Sequence, residues 1–336
     1  MITEILYDNK QDDMDRAAHL LKNGALVAFP TETVYGLGAD ALMPGAVKRI
    51  YEAKGRPSDN PLIVHLSSPQ EAEKYAYTNG LYYKLTRFMP GPLTVILKKR
   101  EVVPDEVTAG LDSVALRVPF YTPARRLIAL AGVPVAAPSA NISGKPSPTK
   151  AEHVIHDLSG RVDAILCGAD CSIGVESTVV KITGDDKLVI CRPGGITKEM
   201  LSEVCASVDI DPAVISKFEG APVSPGMKYK HYSPDADVKI LIGSEEQILD
   251  FLADKTDFGI LCFDGDKRLL RYPDAISLGC ESDFSSQASK LFDSLRDFDK
   301  NKKIKTIYAR MPGDGGVGLA VRNRLLKAAG FDIVRL

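Results

Sequence analysis

Five polar segments hold residue types that could do chemistry, and each follows or interrupts an apolar run. In Phe29-Pro-Thr-Glu-Thr-Val-Tyr-Gly-Leu-Gly38, Thr31, Thr33 and Tyr35 offer hydroxyls and Glu32 a carboxylate. Loops beyond strand ends are where α/β sheets bind ligands, although the same residues fit a turn with capping hydroxyls. In Lys54-Gly-Arg-Pro-Ser-Asp-Asn-Pro-Leu-Ile-Val-His65, Lys54 and Arg56 stand two positions apart in a loop stiffened by Gly55 and two prolines. Arginine grips phosphate oxygens bidentately and lysine adds a point charge, so the loop suits an anion; an exposed basic loop reads the same way. His65, closing an apolar run, also fits a satisfied core histidine.

In Leu116-Arg-Val-Pro119, Arg117 breaks into the apolar run Val114 to Val118. A buried arginine needs an anionic partner, either an internal acid or a substrate carboxylate. Val135-Ala-Ala-Pro-Ser-Ala-Asn-Ile-Ser-Gly-Lys-Pro-Ser-Pro-Thr149 is dense in Ser139, Asn141, Ser143, Ser147 and Thr149, all able to donate to phosphate. Alternatively it is a long surface loop with Thr149 capping the next helix. In Gly174-Val-Glu-Ser-Thr-Val-Val-Lys181, Ser177 and Thr178 open a strand beside Glu176, and Arg192-Pro-Gly-Gly-Ile196 follows.

These segments need elements to hold them. Over residues 1–206 the pattern alternates. Helices are predicted at Asp12 to Asn23, Pro44 to Ala53, Pro69 to Tyr77 and Pro123 to Ala131. Strands are predicted at Ala25 to Phe29, Leu62 to Leu66, Leu93 to Lys98, Val114 to Val118 and Val135 to Ala137. A hairpin around Gly184-Asp-Asp186 joins Val175 to Thr183 with Lys187 to Arg192, which makes the sheet mixed. Residues 207–234, with Pro212, Pro222, Pro225 and Pro234, read as a linker. Its end is unusual for a spacer, because Lys228, Tyr229, Lys230, His231 and Tyr232 cluster there, as in a lid or binding loop. Residues 235–336 restart a βα pattern, with Ser244 capping a helix, and suggest a smaller doubly wound domain.

Composition narrows the classes. The chain has 336 residues, 45% hydrophobic and 26% charged, with a net charge of −2. That is ordinary for a folded two-domain protein and gives no bulk basic field for nucleic acid. No apolar run approaches the ~20 residues of a membrane span, and Met1 to Arg16 lacks a secretory pattern, so a cytoplasmic setting is expected. The six cysteines include no CxxC pair, and five histidines show no metal spacing, so reduced thiols are expected. Neither GxxxxGK[ST] nor HExxH occurs. Gly313-Asp-Gly-Gly-Val-Gly318 spells GxGxxG, but too little chain follows for the second strand of a dinucleotide unit, so it reads as a tight turn opening a helix.

Taken in order, PTETVYGLG, KGRPSDNPLIVH, LRVP, APSAN and GVEST resemble the YrdC-type threonylcarbamoyl-AMP synthases. SPGMKYKHYSP and the α/β region after it resemble that family's longer, two-domain branch. The resemblance implies a twisted open mixed-sheet YrdC-like domain over 1–206, a linker or lid over 207–234 and a smaller Rossmann-like domain over 235–336. It implies that L-threonine, bicarbonate and ATP give threonylcarbamoyl-AMP and pyrophosphate, with Mg²⁺ accompanying ATP and no dedicated protein metal site. L-Threonine would meet Thr33, His65, Arg117, Ser139 and Ser177. ATP would meet Lys54, Arg56, Asn60, Ser113, Asn141, Thr149, Arg192 and Tyr232, with Ser139 beside its phosphates. The product would pass to a separate transferase complex that modifies tRNA next to the anticodon, with at most weak tRNA contact by this chain and no membrane partner. A non-catalytic RNA-binding module is the alternative; the charge balance and the lack of aromatics interleaved with basic residues weigh against it.

Overall fold

A computed structural model describes residues 1–216 and 231–336. These fall into two compact units, Met1–Ser143 with Ser147–Val214, and Gly144–Pro146 with residues 215–216 and 231–336.

The strands of the first unit are β1 (Glu4–Tyr7), β2 (Val27–Phe29), β3 (Gly36–Asp40), β4 (Ile63–His65), β5 (Leu93–Lys98), β6 (Ser113–Arg117), β7 (Val135–Ala136), β8 (Ala164–Cys167), β9 (Thr178–Gly184), β10 (Lys187–Arg192) and β11 (Ser207–Ile210). They form one sheet in the order β1-β8-β2-β3-β7-β4-β6-β5-β9-β10-β11. Pairing is mixed, as expected: β4 and β6 are parallel, β5 and β6 antiparallel, β5 and β9 parallel, β9 and β10 an antiparallel hairpin. Val64, Leu116, Val95 and Val180 turn one way into the main core. Their strand neighbours Ile63, Ala115, Ile96 and Val179, with Cys191, form a small apolar cluster of their own. Side chains alternate along a strand, so this cluster marks the other face of the central strands.

Helix ends follow local chemistry. Pro44–Lys54 starts on proline and stops at Gly55, whose φ of 62° is left-handed. Its stop sets Lys54 and Arg56 on either side of a glycine turn.

Several expectations shift. The strand expected from Val175 begins only at Thr178, which leaves Glu176 and Ser177 in a loop. Pro69–Lys74 is a 3₁₀ helix. Residues expected to start the linker instead form β11, parallel to β10 with Val208 buried, so the sheet runs past residue 206. β3 escapes sequence patterning because Gly36-Leu-Gly-Ala-Asp has low strand propensity. It forms between β2 and β7, where a Cβ on Gly38 would lie 2.7 Å from Phe29 and 2.8 Å from Val135.

The second unit is a parallel sheet of β12 (Asp237–Ile242), β13 (Phe258–Cys262), β14 (Ala275–Ser277), β15 (Thr306–Arg310) and β16 (Ile333–Arg335), in the order β14-β13-β15-β12-β16. Ser244 caps Glu245–Leu252 in a full capping box with Gln247. The expectation that no strand follows Gly318 is overturned, since β16 pairs with β12 beyond the helix Gly318–Ala328. The glycines nonetheless have a packing reason: a Cβ on Gly313 or Gly318 would sit 2.9 or 2.8 Å from the Phe284 ring.

Candidate active site

Sheet register gathers the sequence-predicted cations and hydroxyls. His65 pairs with Arg117, Arg117 with Thr94, Thr94 with Val179, and Val179 with Arg192. Paired residues share a face, so this row crosses five strands on the side of the small apolar cluster. Arg192 joins it through a bulge: the register shifts between Ile190 and Arg192. Strict alternation from Ile190, which packs in the main core, would have sent Arg192 there too. Sequence reasoning had no signal for that bulge. Ser113 lies on the same face of β6 as Arg117, about 13 Å back along the strand at ~3.3 Å per residue. There a pocket of about 350 Å³ includes Ile96, Lys98, Ser113 and Lys181 in its wall.

Arg117 has an internal partner. Its Nη2 donates to Glu32 Oε1 at 2.7 Å, with both side chains about 95% buried. Glu32 also accepts from the Tyr121 N–H at 3.4 Å. Arg117 Nε is buried with no protein acceptor among the described residues, so the guanidinium keeps a donor in reserve. His65 is buried beside it, with Nδ1 3.2 Å from the Ile63 carbonyl. Burial, and next the Arg117 charge, push the His65 imidazole down to about 3. It is therefore a neutral hydrogen-bonding group at physiological pH and a poor proton acceptor.

Thr31 donates to the Val34 carbonyl at 2.7 Å, and its oxygen lies 2.8 Å from Thr33 Oγ1. The Thr31 oxygen also accepts from the Thr33 and Val34 N–H groups at 3.1 and 3.3 Å. Ser177 Oγ lies 2.8 Å from Thr94 Oγ1 and accepts from Arg192 Nη2 at 3.1 Å. Arg192 Nε also donates to the Ser177 carbonyl at 3.1 Å. Ser147 donates to Glu176 at 2.6 Å.

The basic loop and the Ser-Asn loop are tied together. Lys54, 1% exposed, donates from Nζ to the carbonyls of Ser139 and Asn141. Ser143 N–H returns a bond to the Lys54 carbonyl at 2.9 Å. Ser139 Oγ donates to Asn141 Oδ1, and Ser139 bridges to Gly36. Arg56 donates to the carbonyls of Asn60 and Pro61 at 3.3 and 3.4 Å. In these loops both polar atoms of the Asn60 amide and the Thr149 hydroxyl are buried without partners among the described residues. The helix Ala151–Leu158 has Lys150 at its cap position, so Thr149 does not cap it. Buried orphans of this kind cost about 1–3 kcal/mol each unless a ligand or water satisfies them.

Tyr232 belongs to the second unit. Its ring is 5.2 Å from Phe292, and Arg324 sits 5.7 Å from the ring centroid. Its φ of 66° is left-handed. Lys228, Tyr229 and Lys230 lie outside the described residues. Thr94 and Glu32 are the members that sequence reasoning did not assign to a ligand, and only sheet register points to Thr94; Ser147, read as a candidate phosphate donor, is bonded to Glu176. Among the described residues no cluster of three or more His, Cys, Asp or Glu could hold a metal ion. Glu32 and Glu176 are already bonded to Arg117 and Ser147.

A mixed-sheet unit with a cationic row and hydroxyl loops, joined to a parallel α/β unit, defines a class with known members. The family model described as "Telomere recombination" matches residues 19–194, and that described as "Threonylcarbamoyl-AMP synthase, C-terminal domain" matches residues 196–330. The threonylcarbamoyl-AMP synthase of Bacillus subtilis is 47% identical over 95% of this chain and 94% of its own. That of Schizosaccharomyces pombe is 36% identical over 94% and 88%. The crystal structure of Pyrococcus abyssi Sua5 complexed with L-threonine aligns over 100% of both chains, with a TM-score of 0.90 and 42% identity. The chain belongs to the threonylcarbamoyl-AMP synthase family, in its two-domain Sua5 form.

Proposed function

We propose that this chain condenses L-threonine, bicarbonate and ATP into L-threonylcarbamoyl-AMP and pyrophosphate. The observation that carries the reading is the row His65–Arg117–Thr94–Val179–Arg192, flanked by loops whose Asn60 amide and Thr149 hydroxyl await partners. The threonine amine adds to bicarbonate and expels water, giving a carbamate. A carbamate oxygen then attacks the α-phosphorus of ATP, and pyrophosphate leaves with the electron pair of the broken P–O bond. No protein nucleophile is needed; positioning and charge neutralisation suffice.

Arg117 holds the threonine carboxylate with its reserve donor, while Glu32 keeps the guanidinium oriented. Thr33 Oγ1 accepts from an N–H of the amino group and leaves the nitrogen lone pair for carbon. Ser139 and Ser177 add hydroxyl contacts, and neutral His65 packs against the substrate. Lys54, Arg56 and Arg192 neutralise phosphate charge, with Asn60, Asn141 and Thr149 as hydrogen-bonding groups around the nucleotide. Ser113 and its pocket mark the far end of the nucleotide's track along the same face. The donor set does not suit a protein-held cation, so Mg²⁺ is proposed as the counter-ion that ATP itself brings. The product goes to a separate transferase that modifies tRNA next to the anticodon, in the cytoplasm; no helix among the described residues is long and apolar enough to cross a membrane.

Pyrophosphate release from Mg-ATP, with L-threonine and bicarbonate omitted in turn, tests the reaction. Release that needs both, with a new AMP adduct by mass spectrometry, supports it. A folded chain that binds ATP and releases no pyrophosphate under any combination refutes it.

A further inference from the structure

We propose that Thr94 is a positioning residue that makes Ser177 an obligatory hydrogen-bond donor to the substrate carboxylate. The inference rests on the functional reading above and adds a residue to it. Thr94, the second residue of β5, is fully buried, and its hydroxyl has one partner among the described residues, Ser177 Oγ at 2.8 Å. A buried hydroxyl hydrogen without an acceptor is costly, so the Thr94 hydrogen points at Ser177. The other lone pair of Ser177 is taken by Arg192 Nη2 at 3.1 Å, and a guanidinium can only donate.

Both acceptor positions of Ser177 are thus filled. Its own hydrogen is left with no acceptor among the described residues, although Ser177 is fully buried. That hydrogen is therefore available only to an incoming acceptor, and Thr94 stands directly opposite Arg117 in the sheet register. Ser177 and Arg117 together present donors to one carboxylate.

The test is calorimetric titration of the full chain with L-threonine, alongside steady-state kinetics. Thr94→Val keeps the shape and removes the hydroxyl, which leaves one Ser177 lone pair unfilled and no longer fixes the direction of its hydrogen. L-Threonine binding is expected to weaken about five- to tenfold, the scale for weakening a hydrogen bond to a charged group. KM for ATP should stay within about twofold. Thr94→Ser should bind like the parent chain. In a Ser177→Ala background, Thr94→Val should cost nothing further, because the effect runs through Ser177. Unchanged threonine binding in Thr94→Val, or the same penalty with and without Ser177, overturns the proposal. If Thr94→Val does not fold, Thr94→Ser decides: parent-like binding upholds it and weakened binding overturns it. A parent chain that neither binds L-threonine nor releases pyrophosphate overturns the functional reading instead, which keeps the two failures apart.

Discussion

Glu32→Ala isolates what the buried ion pair does. The pair is 2.7 Å long, and its side chains are only 5% and 4% exposed. Removing the carboxylate leaves the Arg117 charge uncompensated, which typically costs about 3–5 kcal/mol. For a unit of this size each kcal/mol moves the midpoint by about 2–4 °C, so the first unit should melt roughly 10 °C lower. The free guanidinium then becomes a stronger trap for an added carboxylate. L-Threonine should therefore raise the melting temperature of Glu32→Ala by more than it raises that of the parent, while turnover falls because Arg117 is no longer oriented. Glu32→Gln keeps an oxygen that can accept from Arg117 and should lose less stability. Differential scanning calorimetry with and without L-threonine gives both readings. A variant that melts within about 2 °C of the parent, or that gains less from L-threonine, would show that Glu32 is not the counter-charge of this site.

Three further expectations follow from other residues. Gly194→Ala would put a Cβ 2.3 Å from the Thr178 nitrogen and 2.5 Å from the Glu176 carbonyl, which must displace Ser177; turnover should fall about a hundredfold, the scale of a ~1 Å misplacement, and parent-like rates would contradict it. His65 is held near 3, below its unfolded value of 6.5, so the unfolded chain binds the extra proton between these limits. Its contribution is intact above pH 6.5 and is lost as pH falls toward 3, by up to ~1.4 kcal/mol per pH unit; Gln at position 65 should flatten urea-denaturation stability over pH 6 to 4. Cys280 is exposed and its thiol is held below the usual range by hydrogen bonding to Ser282, whereas burial pushes Cys171 up. Iodoacetamide followed by peptide mass spectrometry should label Cys280 first, and labelling of Cys171 at an equal rate would refute that.

The elements that sequence reveals and those it hides differ in a physical way. Leu93 to Lys98 was readable as a strand because both faces are covered and its apolar residues are interrupted only by Thr94 before Lys98. Pro44 and Gly55 bracketed a helix because each fixes a backbone angle locally. β3, β8 and β11 were not legible: Gly36-Leu-Gly-Ala-Asp40 has low strand propensity, and β8 and β11 are short segments that become strands by pairing with β1 and β2 and with β10. The site divides in the same way. Lys54, Arg117, Ser139, Asn141 and Ser177 stand out by residue type against their surroundings. Thr94 looks like one more polar position in an apolar strand, and only its register opposite Arg117 gives it meaning. The placement of Arg192 depends on a one-residue slip in a hairpin that no pattern of hydrophobic residues announces.

The row across β4, β6, β5, β9 and β10 also bears on how the chain becomes active. Its members lie between positions 65 and 192, and none becomes a neighbour of the next until its strand has docked. Such non-local pairing is slow to form, because loop closure precedes any gain. Substrate recognition therefore has no partial form: a chain arrested before the hairpin of Thr178–Gly184 and Lys187–Arg192 docks holds Arg117 without Ser177 or Arg192. The first turnover of a newly made molecule should coincide with completion of the sheet. One cut between β5 and β9 that lets the strands part would disperse the row along with the sheet that carries it.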